Sequence, residues 1–154
     1  MQGRDPHFRW TGVVYGWISF VLDGGSGSYR CTVADTTDVP AELMAAVARV
    51  VRGSMEERVS FDHEPSETRW TLRNAGGAVD IVVESFESWG AAVGGDVQWQ
   101  GRWPSADRFG RAFLDATESF LAEVGGAGYA AGWPAYPVPR AAVDDLRASV
   151  GPSR

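Results

Sequence analysis

A chain of 154 residues that is 44% hydrophobic and 22% charged can build one sizeable core and is short for two. Its net charge of −6, carried with arginine and no lysine, argues against non-specific nucleic-acid binding and favours solubility, small ligands or a basic protein partner. Cys31 is the sole cysteine, so no intramolecular disulfide or thiolate zinc cluster can form.

The absence of lysine, the single Asn74 and the two isoleucines Ile18 and Ile81 point to a GC-rich bacterial genome. No run reaches transmembrane length, and Met1–His7 has no apolar signal core. A cytoplasmic location, with no membrane and no nucleic-acid partner, is the expectation.

Residues 8–22 are dense in β-formers on both faces and are predicted as one long or central strand, with Gly12 and Gly16 as places for a bulge. The glycine-rich loop 23–28 then reverses the chain into a strand over 29–34. That hairpin sets Leu22 against Tyr29, Phe20 against Cys31 and Ile18 against Val33. A phosphate cradle would need a helix after the loop, and a strand follows instead.

Asp38 and Pro40 mark a helix start, and Leu43, Val47, Val50 and Val51 give a helix over 41–52 one apolar stripe, ended by Gly53. Residues 56–86 form a three-stranded meander. A turn at 64–67 pairs Val59 with Leu72 and Phe61 with Trp70, and it places Arg69 against Asp62. A second turn at Gly76-Gly77 pairs Leu72 with Ile81, Trp70 with Val83, Arg73 with Asp80 and Arg69 with Glu84.

A small-residue loop carrying Trp89 leads to a strand over 96–103, whose alternation sets Trp99 and Trp103 on one face and Gln98, Gln100 and Arg102 on the other. Ser105 caps the longest helix, which is expected to stop at Gly125. Residues 126–139 read as a surface loop, and 140–150 as a short helix with Val143, Leu146 and Val150 inward. The order β-β-α-β-β-β-β-α-α predicts an α+β fold. Its antiparallel sheet has about five or six strands with helices packed on one face, in a single domain with 1–7 and 151–154 frayed.

Candidate chemistry is sparse. Asp62, His63 and Glu64 are adjacent strand residues that point alternately to opposite faces, so they cannot grip one ion, and no metal or cofactor is expected. No nucleophile elbow is present. A lone strand cysteine reads as a small buried hydrophobe. The surplus aromatics in loops, Trp89, Trp133 and Tyr136, together with His63 and Glu64, are the candidate contact residues. They favour a protein-binding or regulatory module that neutralises a partner in the manner of an antitoxin or immunity protein. The alternative is a small-ligand protein or enzyme with a pocket between sheet and helices near His63. Oligomeric state is not readable from the sequence.

Overall fold

The computed structural model describes residues 4–62 and 66–151. Its elements run β1 (His7–Val14), β2 (Trp17–Asp23), β3 (Tyr29–Ala34), α1 (Val39–Val51), β4 (Glu56–Asp62), β5 (Glu67–Ala75), β6 (Ala78–Phe86), β7 (Asp96–Trp103), α2 (Ala106–Gly132) and α3 (Arg140–Val150). The fold is α+β, but the strands form two antiparallel sheets, β1-β2-β3 and β4-β5-β6-β7, in place of the one sheet of five or six strands expected.

The difference begins in residues 8–22. The expected single strand is a hairpin, with Tyr15 and Gly16 as its two-residue loop and Val14 opposite Trp17. Both loop residues have positive φ, 50° and 81°, as a type I′ turn requires. A register shift between Trp10 and Gly12 then lets Phe8 and Trp10 stay on the same face as Phe20 and Leu22. The β2–β3 pairing is the one predicted: Leu22 with Tyr29, Phe20 with Cys31, Ile18 with Val33.

In the second sheet the β5–β6 register also agrees with expectation. The β4–β5 register does not: Val59 pairs with Trp70, Phe61 with Thr68 and Asp62 with Glu67. The displacement is two residues, so every side chain keeps its face while its partner changes. Arg69 therefore lies opposite Ser60, not Asp62, and it bonds to Glu67 on its own strand. Arg73 does oppose Asp80, yet Arg73 pairs with Glu56 and Asp80 with Arg102.

Helix α2 also departs from expectation. Gly125 adopts φ 71° and ψ 167°, a kink and not a stop, and helix continues over residues expected as loop as far as Gly132. Asp38 stands at the N-cap of α1, but its carboxylate makes no cap bond and instead accepts from the indole of Trp133 at 3.2 Å. Ser105 caps α2 as predicted, accepting from the Arg108 N–H.

One hydrophobic cluster joins the inner faces of both sheets to all three helices, with Phe8, Trp10, Phe20, Phe61, Trp70, Trp103, Phe109 and Phe113 at its centre. Rings meet edge to face, as Trp70 does with Phe8, Phe20 and Phe61, at centroid distances of 5.4–6.0 Å. A buried polar chain threads it: Trp10 Nε1 donates to Thr117 Oγ1, which donates to Met44 Sδ. The sheets are sewn together at the β2–β3 loop, where Trp99 Nε1 donates to the Gly24 and Gly27 carbonyls and the Ser26 N–H to the Gln100 carbonyl. Among the described residues, no helix is long and apolar enough to cross a membrane.

Candidate functional site

With Phe8, Trp10, Ile18, Phe20, Leu22, Cys31 and Val33 turned inward, the alternation of β1, β2 and β3 fixes what the other face of that sheet carries. The register builds it in rows. Arg9, Val21 and Arg30 form one row, Gly12, Ser19 and Thr32 the next, and Val14, Trp17 and Ala34 the last, with Tyr15 at the tip. Arg9, Thr11, Arg30 and Thr32 are exposed on this face, while Val21, between the two arginines, is buried.

The apolar end of the face is open to solvent: Tyr15 is 87% exposed, Val14 57% and Trp17 49%. Tyr15 is also the one described non-glycine residue with positive φ. Holding a bulky side chain in the left-handed region costs about 1–2 kcal/mol. The tip that bears this cost is fixed in place. The Gly16 N–H donates to the Gly132 carbonyl at 2.8 Å, and a Cβ at Gly132 would fall 2.6 Å from the Val13 carbonyl oxygen. Gly16 is itself buried, with Asp35 against its α-carbon. The rings are thus presented on a braced hairpin.

The other end is cationic. Arg9 and Arg30, along with Arg4 and Arg140, are the described arginines with no carboxylate in ion-pair range. They flank Val21 across the sheet, two strand spacings apart, which is roughly 10 Å. Tyr, Trp and Arg are the residue types that dominate binding energy at protein interfaces. This face brings all three together without using them in the fold.

The residues expected from sequence lie elsewhere. His63 and Glu64 fall outside the described residues. Trp89 is 45% exposed, but its indole N–H is committed to Asp62 Oδ1 at 3.0 Å. Asp62 Oδ2 accepts from Thr36 Oγ1, and the facing Glu67 accepts from Ser60 Oγ, Arg69 and the Gly90 N–H. Arg69 in turn donates to the Ala91 carbonyl and lies 4.0 Å above the Phe86 ring. Burial pushes the Glu67 carboxyl up, but the bonds from Arg69, Ser60 and Gly90 outweigh it and hold it below its ordinary value. These carboxylates clamp the 87–95 loop onto the sheet. An anion held below its usual range by three donors is a poor general acid or base at neutral pH.

Trp133 is fully buried and Tyr136 half-buried, its hydroxyl donating to the Thr36 carbonyl. Together they pack the chain after α2 over the start of α1. Burial raises Asp38 despite the Trp133 bond, and it raises Glu42, assisted by the Asp38 charge. Among the described residues, no three His, Cys, Asp or Glu side chains converge to hold an ion.

Sequence reasoning missed the Tyr15–Trp17 tip because it took residues 8–22 as one strand, and with the tip it missed the face that Arg9 and Arg30 share. The available signal was length: fifteen extended residues span roughly 50 Å, well beyond an ordinary strand. Compared with known proteins, the chain matches no family model, no curated protein and no solved structure.

Proposed function

We propose that this chain is a protein-binding module that regulates or neutralises a partner, and that it does so through the outer face of β1-β2-β3. The observation that carries this is the braced Tyr15–Gly16 tip. Backbone strain is retained there to display a ring that contributes nothing to the core. Outliers of this kind concentrate where a surface is used. The local charge reverses the expectation drawn from the net charge. The unpaired Arg9 and Arg30 fit an acidic partner surface with an apolar recess for Tyr15 and Trp17, not a basic partner.

Capture of proteins from an extract of the source cells tests it, using wild type, Trp17→Ser, the Arg9→Glu/Arg30→Glu pair, and Val97→Ser as an exposed apolar control on the other sheet. A specific protein retained by wild type and Val97→Ser, and lost by the other two at unchanged melting temperature, supports the proposal. Equal retention by all four contradicts it.

A further inference from the structure

Strand β1 is the edge of its sheet, pairing with β2 alone. A groove of about 590 Å³ runs along that edge, and it is lined by every residue from Asp5 to Thr11. Their side chains alternate between opposite faces of the sheet, so a wall made of all of them in sequence is the backbone edge itself, not a face. Among the described residues, no backbone hydrogen bond outside the β1–β2 ladder is made by residues 7–12. Half of their N–H and C=O groups therefore point into the groove.

The opposite wall is α2, and small residues make it low there: Ala112, Ala116 and Ser119. Asp115 and Glu123 rise on either side of Ala116 and Ser119, both exposed and neither in an ion pair among the described residues. They stand eight residues apart, about 12 Å along a helix. Residues i and i+4 of an extended strand are about 13 Å apart and point to the same side. The ends of the edge are closed by Pro6, which has no N–H, and by the irregularity at Thr11, so only a short segment can pair.

We propose that this groove is a strand-addition site for an extended peptide of a partner protein, with cationic side chains at i and i+4 over Asp115 and Glu123 and an acidic side chain on the outer side facing Arg9. Main-chain bonds to His7–Trp10 supply affinity, and the alternating charge supplies register. The site shares Arg9 with the outer face of the sheet but makes no use of the Tyr15–Trp17 tip.

The test uses the full chain and the peptide acetyl-Thr-Arg-Thr-Val-Glu-Arg-Thr-amide, with a control in which Arg and Glu are exchanged for residues of opposite sign. Amide exchange followed by NMR at low salt is expected to slow about tenfold at alternate positions in residues 7–10 with the first peptide and not with the control. Asp115→Arg/Glu123→Arg is expected to abolish the slowing at unchanged melting temperature, and Trp17→Ser to leave it intact. No slowing, equal slowing by both peptides, or slowing that survives the double variant overturns the proposal. Slow exchange at those amides without peptide, with a dimer mass by light scattering, assigns the edge to a second copy and also overturns it.

Discussion

Tyr15 is where local physics and use of the surface pull apart. Asn tolerates the left-handed region far better than Tyr, so Tyr15→Asn is expected to stabilise the fold by about 0.5–1 kcal/mol in denaturant melts. The same change is expected to weaken partner capture. A destabilised variant would show that Tyr15 packs in a way its 87% exposure denies. Cys31 illustrates the opposite case, a residue whose role was legible from sequence: it lies in β3 facing the core, as a small buried hydrophobe should. Burial pushes its thiol from 9.0 up to about 11, and burial raises Tyr29 and Tyr129 further. Groups raised on folding hold their protons in the native state after the unfolded chain has lost them. The Cys31 stabilisation is therefore whole below pH 9 and declines between pH 9 and about 11, and that of the two tyrosines declines only above pH 10. Urea melts across that window should show falling stability, with a shallower fall in Cys31→Val. The Tyr129 hydroxyl is buried with no hydrogen-bond partner among the described residues, a cost no sequence pattern could have announced.

At the scale of elements, turns decided what could be read ahead. The β2–β3 and β5–β6 registers follow from glycine-rich reversals whose conformational demands are visible in composition. The β1–β2 turn was hidden because Tyr occupies a position that ordinarily advertises itself as Asn, Asp or Gly. The β4–β5 ladder runs through the Asp62–Glu67 rung because both buried carboxylates find donors, from Thr36, Trp89, Ser60, Arg69 and Gly90. Those donors come from remote parts of the chain, so turn chemistry alone could not show the rung. Replacing Glu67 by Ala strips Arg69 of its carboxylate partner and is expected to cost ~3 kcal/mol. An exposed pair such as Arg102–Asp80 is screened by solvent and should contribute much less. The Glu67 carboxyl is lowered from 4.5, so its share of stability is present above that pH and lost as pH falls through the depressed value. Glu67→Gln should accordingly lose less on acidification than wild type. Trp70, central to the ring cluster, is expected to cost ~3–5 kcal/mol when cut to Ala. Equal losses from Trp70→Ala and Asp80→Ala would contradict this ordering.

For the whole molecule, the fold class was accessible and the division into sheets was not. Both sheets offer apolar inner faces of the same character, and only the hairpin at Tyr15 reveals that the first three strands close upon themselves. The division matters for function because it leaves one sheet with an unused outer face. On the four-stranded sheet, Arg58, Arg69, Arg73 and Arg102 are matched by carboxylates. On the three-stranded sheet, Arg9 and Arg30 are not, and Trp17, Val14 and Tyr15 stand beside them in water. Photo-cross-linking in the source cells measures the consequence most directly, with a benzophenone side chain placed at residue 17 or, for comparison, at residue 97. A discrete adduct with one protein from position 17, absent from position 97 and lost when Arg9 and Arg30 become Glu, is the result expected. Adducts of the same pattern from both positions, or none from position 17, would contradict the assignment of this face.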